Sequence, residues 1–287
     1  MPEPDAELGG YVLERPLGRG GSATVYRAHR PDRPDPVAVK VLRADHRNDA
    51  ELTRLQREFA FAGRFTHPHI VAVYEAGRHW LAMQYVDGGN ASTLRSRHTQ
   101  LSALTQIAGA LDDIHRAGIV HCDVKPSNIL VHQTHSDCAA VLTDFGVAHS
   151  LAEDFAVRLA RAGGALSLDP AKRITHQHLG QPATVLASLP YAAPEILLGR
   201  IPSAATDQYA LACTAAELLT GHPLFTAGTP TELVHAQIHR APPALSERSA
   251  AVPPAIDAVL ATALAKQPEQ RYPSCTAMVA DLVRALG

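Results

Sequence analysis

The chain has 287 residues, with 26 basic and 28 acidic side chains and a formal charge of -2. That length can bury a large core, in one domain or two lobes. The near-neutral balance gives no pull toward nucleic acid or an anionic membrane surface, no apolar stretch reaches the ~18 residues of a membrane span, and the start MPEPDAELGG lacks a secretory pattern, so a soluble chain is expected.

Cys122, Cys138, Cys213 and Cys275 are scattered, without a C-x-x-C spacing, which fits a reducing cytosol better than a disulfide framework or zinc ribbon. The closest histidine pairs, His132/His135 and His176/His178, have no acidic or cysteine partner at ligand spacing and read as surface or loop residues.

From the N-terminus, YVLERPLG, ATVYRAHR and PVAVKVL read as three strands, joined by a glycine turn and a proline-rich turn. Leu52, Leu55, Phe59, Ala62 and Phe65 then recur at three or four, which predicts an amphipathic helix over 49–65. IVAVYEAG and HWLAMQYV read as two further strands, and DGGN at 87–90 as a hinge. Beyond it the pattern is helical. Leu101, Leu104, Ile107, Ala108, Leu111 and Ile114 line a helix that stops at Gly118. Later helices are expected near 205–220, 230–240, 254–266 and 274–286. Residues 150–187 have weak periodicity and read as a long loop, with a short helix around 152–162.

Four stretches carry chemistry. In LGRGGSATVYRA the glycines allow a tight turn whose backbone N–H groups can approach a phosphate. The strand–turn–strand context argues against a dinucleotide fingerprint, which needs a following helix, and no G-K-[ST] follows. Lys40 ends the apolar run VAVK, and Glu58 sits on the inward stripe Leu55–Glu58–Ala62–Phe65. An unpaired carboxylate there is costly, so a Lys40–Glu58 ion pair is expected. HCDVKPSN offers Asp123 to accept a hydroxyl proton, Lys125 to neutralise a moving phosphoryl group and Asn128 to bind a metal through oxygen. Asp144 in LTDFG offers a second oxygen ligand. Phosphoryl transfer needs mainly positioning and charge neutralisation, which this set provides.

Together, Gly18–Gly20–Val25, Lys40, Glu58, His121–Asp123–Lys125–Asn128, Asp144–Phe145–Gly146 and Ala193–Pro194–Glu195 resemble the motifs of bacterial, actinomycete-type Ser/Thr protein kinases, from about residue 11 to 286. The resemblance implies an α+β, two-lobed fold: an N-terminal extension (1–10), a β-rich lobe (11–86), a hinge (87–90) and a helical lobe (91–287) with an activation segment over 144–195. It implies ATP and Mg²⁺ (or Mn²⁺) as cofactors, and protein substrates bearing Ser or Thr. Asp123, Lys125, Lys40 and Glu58 would be catalytic, and Asn128 and Asp144 would hold the metal. Leu17, Gly18, Gly20, Gly21, Val25, Ala38, Lys40, Met83, Gln84, Val86 and Leu130 would form the nucleotide pocket, with backbone groups of Gln84 and Val86 on the adenine edge. It implies further that Asp207 supports the catalytic-loop backbone and that Arg271 pairs with Glu195. Cytoplasmic signalling and autophosphorylation are expected, and a homodimer is left open.

Four departures from the family pattern stand out. Ala23 replaces the third glycine, Ser188 replaces a threonine, the span from Asp144 to Glu195 is long, and Cys122 replaces the arginine of H-R-D. A cysteine cannot hold an activation-loop phosphate. The expectation is control by other means, either constitutive competence or gating by 150–187, without dependence on phosphate at Ser167, Thr175 or Thr184. A buried, inert thiol is expected at Cys122 rather than a redox sensor. The alternative reading, a pseudokinase or ATP-binding scaffold, predicts loss of Lys40, Asp123 or Asp144; all three are present.

Overall fold

A computed structural model describes residues 6–132, 139–145, 188–249 and 251–287. Gly146, Cys138, His135, His176, His178, Ser167, Thr175, Thr184 and the short helix expected at 152–162 lie outside the described residues.

The N-terminal part is an antiparallel sheet of β1 (Glu7–Leu8), β2 (Tyr11–Arg19), β3 (Ala23–Arg30), β4 (Arg33–Leu42), β5 (Val73–Ala76) and β6 (Trp80–Gln84), in the order β1-β2-β3-β4-β6-β5. Residues 7 and 8, expected to lie in an extension, pair with Val12 and Tyr11. The Gly9 that follows, at φ 61°, lies against the Trp80 ring; a Cβ there would stand 2.1 Å from the ring.

Alternation along β4 sorts its side chains between two faces. Val39 and Val41 join Tyr11, Leu13, Tyr26 and Trp80 in an outer cluster. Ala38 packs with Met83, and Leu42 with Leu55 and Leu81, on the opposite face. Lys40, between them in the alternation, is thereby aimed at helix α1 (Asp49–Ala62). Asn48 caps α1 by accepting the Glu51 N–H, and Asp49 and Glu51 in its first turn suit the helix dipole. Its buried residues are Leu55, Glu58 and Ala62, whereas Phe59, read from the sequence as part of the apolar stripe, is exposed. The helix ends at Ala62, so Phe65 packs on the core from beyond it.

The C-terminal part is built on α2 (Arg97–Arg116) and α4 (Ala204–Thr220), with α3 (Pro194–Leu197), α5 (Pro230–His239), α6 (Ala255–Ala263) and α7 (Cys275–Leu286). Ser96 caps α2, and Gly118, at φ 76°, takes the left-handed turn beyond its end. Leu104, Ile107, Leu111 and Ile114 of α2 are fully buried, each contributing roughly 1.5–3 kcal/mol by area. α6 stops at Ala263, short of the expected 266. Among the described residues no helix is long and apolar enough to cross a membrane.

A small hairpin, β7 (Ile129–Val131) and β8 (Ala140–Leu142), lies at the junction of the two parts. The Gly88 N–H donates to the Val131 carbonyl and the Val131 N–H to the Gly89 carbonyl, so the hinge glycines are tied to β7. On the other side, the Val71 N–H donates to Leu142, whose own N–H donates to His69. The residues flanking the hairpin, Asn128 before it and Asp144 after it, are thus held where the two parts meet.

Candidate active site

The Lys40 ammonium, aimed inward by β4, donates to both Glu58 oxygens at 3.0 and 2.9 Å and to Asp144 Oδ1 at 2.5 Å. Burial opposes its charge, but the Asp144 and Glu58 carboxylates outweigh burial and hold its pKa above the ordinary value. The two carboxylates fare differently. Burial dominates at Glu58 and lifts it to about 7, whereas Lys40 overcomes burial at Asp144 and draws it down to about 2. Asp144 has φ 65°, a left-handed conformation unfavourable for a non-glycine residue. The next side chain, Phe145, is buried in the main core edge-on to His121, with ring centroids 4.9 Å apart.

The loop over 121–128 closes into a second network. Lys125 Nζ donates to Asp123 at 3.0 and 2.8 Å and to Ser188 Oγ at 2.8 Å, and Ser188 Oγ donates to Asp123 Oδ1 at 2.7 Å. The serine hydroxyl therefore bridges the Lys125 ammonium and the Asp123 carboxylate. Asn128 Nδ2 donates to the Asp123 carbonyl at 2.8 Å and to its carboxylate at 2.9 Å. Its N–H face is thereby spent, leaving Oδ1 as the side-chain donor atom for a cation.

Asp207, fully buried on α4, accepts from the His121 N–H at 2.7 Å and the Cys122 N–H at 2.6 Å. This holds Cys122 at φ 61°, so the position is set by backbone geometry as much as by side chain. Burial pushes the Cys122 thiol up, and Asp207, Asp123 and Glu195 push it further, which keeps it a protonated, weak nucleophile. Arg271 makes a two-pronged pair with Glu195, both bonds 2.8 Å, and Thr206 Oγ1 adds a third bond to the carboxylate.

The expected nucleotide-pocket residues come from the adjacent strands β2, β3, β4 and β6, from the chain leading into the hinge, and from β7. Gly18 pairs with Val25, Val25 with Lys40, and Ala38 with Met83. Leu17 is exposed, Val25 and Val86 pack partly against the main core, and Leu130 is half-buried on β7. The Gln84 N–H is committed to the Ala72 carbonyl, so of its two backbone groups only the carbonyl is left for a ligand edge. Its side chain turns away, toward Ala72 and His132.

The glycines test the fit of a phosphate. Gly20 N–H donates to the Ala23 carbonyl at 2.8 Å, closing the turn that contains Gly21. A Cβ on Gly18 would meet nothing within 4 Å, and one on Gly20 only the Ala23 carbonyl at 3.6 Å. The protein's own packing therefore does not demand glycine at these two positions; they leave bare backbone facing open space, as a bound phosphate requires. Asn128 Oδ1 and the Asp144 carboxylate are hard oxygen donors of the kind Mg²⁺ prefers. Both groups fit.

Sequence reasoning missed several supporting residues. His115 Nε2 meets Asp207 at 2.7 Å, from the end of α2. Asp112, one turn earlier, caps α7 by accepting the Cys275 and Thr276 N–H groups. Asp112, His115 and Cys275 come close enough to suggest a metal site. Those contacts occupy the two side chains, and burial raises the Cys275 thiol well above its ordinary value. Gln237 and Tyr209 are buried polar residues that helical periodicity alone does not flag.

The fold and the two polar networks define a protein kinase domain. The family model described as "Protein kinase domain" matches residues 11–282, and the chain belongs to that family. Among relatives, the Ser/Thr-protein kinase PknJ of Mycobacterium tuberculosis is 38% identical over 278 residues, spanning 92% of this chain and 43% of the relative. PknF of the same organism is 37% identical over 292 residues, spanning 97% and 56%. The crystal structure of the M. tuberculosis PknI kinase domain superposes with a TM-score of 0.70 at 29% identity, covering 99% of this chain and 98% of that one. The chain is thus similar to bacterial Ser/Thr kinases and spans about half the length of the curated relatives it matches.

Proposed function

We propose that this domain transfers the γ-phosphoryl group of ATP, with Mg²⁺ or Mn²⁺, to Ser and Thr hydroxyls of proteins, its own chain included. The observation that carries the reading is the joining of Asp123, Lys125, Asn128 and Ser188 in one hydrogen-bonded group, beside a separate Lys40–Glu58–Asp144 group. When bound, ATP supplies the phosphoryl group and the metal neutralises phosphate charge. The backbone around Gly18, Gly20 and Gly21 would cover the phosphates, with Leu17, Val25, Ala38, Met83, Gln84, Val86 and Leu130 enclosing the base. Lys40, fixed by Glu58, would hold phosphate oxygens, and Asn128 and Asp144 would hold the metal. Asp123 would orient the acceptor hydroxyl and take its proton at a carboxylate oxygen, while Lys125 offsets charge on the transferring group.

Cys122 carries no positive charge, so the reading includes control by something other than an arginine–phosphate clasp. A cytoplasmic place of action, where ATP and reduced thiols occur, belongs to the same proposal. The test is transfer of labelled phosphate from ATP to a protein acceptor by the wild-type chain, Asp123→Asn and Lys40→Ala. Loss of at least about a hundredfold is expected in each variant, the scale of general acid–base or electrostatic catalysis. Equal activity in all three would instead support the scaffold reading.

A further inference from the structure

Gln237, on α5, has no exposed surface. Burying an amide is costly unless each of its polar atoms is bonded, and an apolar side chain of similar shape would fill the space more cheaply. Here every group is used. Nε2 donates to the Leu189 carbonyl at 3.1 Å and to the Pro190 carbonyl at 2.6 Å. Oε1 accepts from the Tyr209 hydroxyl at 2.6 Å, which fixes which way the amide faces. The Gln237 main-chain carbonyl accepts from Lys266 Nζ at 2.8 Å, and that ammonium also lies over the Phe225 ring, 4.8 Å from its centroid. Both amide protons thus go to the two residues that directly follow Ser188, whose hydroxyl joins Asp123 to Lys125. Tyr191, the next residue, is anchored separately, its hydroxyl donating to Glu217 of α4 at 2.6 Å.

We infer that Gln237 is a positioning residue for the acceptor side of the reaction: through the Leu189 and Pro190 carbonyls it seats Ser188 on Asp123 and Lys125, and so links the face of α5 to the phosphoryl-transfer groups. This rests on the kinase reading above. It deepens that reading by separating two supports. Lys40, Glu58 and Asp144 serve the nucleotide and make no bond to this chain of contacts, whereas Gln237 serves the transfer step and the acceptor.

The experiment measures steady-state transfer from Mg-ATP to dephosphorylated casein by wild type, Gln237→Met and Tyr209→Phe, well below each variant's melting temperature. Gln237→Met keeps the shape of the side chain and frees both carbonyls. Tyr209→Phe removes only the hydroxyl that orients the amide, so it keeps the inference testable if the first variant does not fold. The expected result is a fall of about tenfold in kcat/KM for casein in Gln237→Met, the size of one or two lost hydrogen bonds, with a smaller fall in Tyr209→Phe and an unchanged KM for ATP in both. A lower melting temperature with unchanged casein kinetics would overturn the inference, as would a proportional rise in the KM for ATP. No transfer by wild type would instead overturn the kinase reading, and this inference with it.

Discussion

Glu58 and Asp144 share one ammonium, and burial separates their fates. Asp144, lowered from 3.8 to about 2, adds stability above its ordinary pKa that is lost as pH falls through its folded value. Glu58 is raised from 4.5 to about 7, so its sign is the reverse: its contribution is fullest below its ordinary value and declines as pH rises toward 7. Fixing Lys40 is a different matter, because an ion pair needs the Glu58 carboxylate charged. The expected outcome is a kcat/KM for ATP that falls as pH drops below about 7, with this limb absent in Glu58→Gln. A pH–rate profile of the two proteins checks it, and an identical acid limb in both would assign the titration to another group. Cys122 shows the opposite case, a residue whose identity matters less than its backbone. Its N–H is held by Asp207 and its thiol is kept protonated, so the loop backbone stays tied to α4 with a neutral side chain at this position.

Elements here owe their placement to close approaches that a single carbon would block. Trp80, the chain's one tryptophan, lies beside both Gly9 and Gly77 on the outer face of the sheet. A Cβ on Gly77 would fall 2.1 Å from Trp80 Nε1 and 2.4 Å from Cε2. Room for the ring to yield is small, since it also stacks edge-on against Tyr11, with centroids 5.7 Å apart, and is itself nearly buried. Gly77→Ala is therefore expected to cost about 1–3 kcal/mol, the usual price of overpacking, and to redden the tryptophan emission as the ring is displaced toward water. Urea unfolding followed by fluorescence measures both at once. An unchanged midpoint and spectrum would mean that the β5–β6 turn relaxes without moving the ring.

At the scale of the whole molecule, what the sequence made legible follows one physical division. Local periodicity and turn chemistry exposed the strands over 11–42, the long helix ending before Gly118 and the inward face of Glu58, because each depends on neighbours a few residues away. The motif spacings exposed Lys40, Asp123, Lys125, Asn128 and Asp144, whose relations are set by a fold recognisable as a whole. Partners chosen across the chain stayed hidden: the pairing of Glu7 and Leu8 with β2, the Asp112 cap on α7, the His115–Asp207 bond and the Gln237 network. No local pattern marks a buried polar side chain whose partner lies far along the sequence.

Arg271 and Glu195 lie 76 positions apart, and only their family resemblance brought them together on paper. In the fold their side chains are 0% and 3% exposed, joining the start of α3, the Ala205 carbonyl at the start of α4 and the segment after α6. Such a pair is worth little over an apolar replacement of both partners, but breaking one side leaves a buried charge uncompensated. Burial alone would raise Glu195; Arg271, with help from Thr206, instead holds its carboxyl below the ordinary value. Arg271→Met should therefore cost about 3–5 kcal/mol in urea unfolding, whereas Arg271→Met combined with Glu195→Met should recover much of that loss. Single and double variants of equal stability would show that the carboxylate finds water when the arginine is gone. A double variant less stable than the single would make the junction of α3, α4 and the chain after α6 depend on the ion pair itself, rather than on how these helices pack around it.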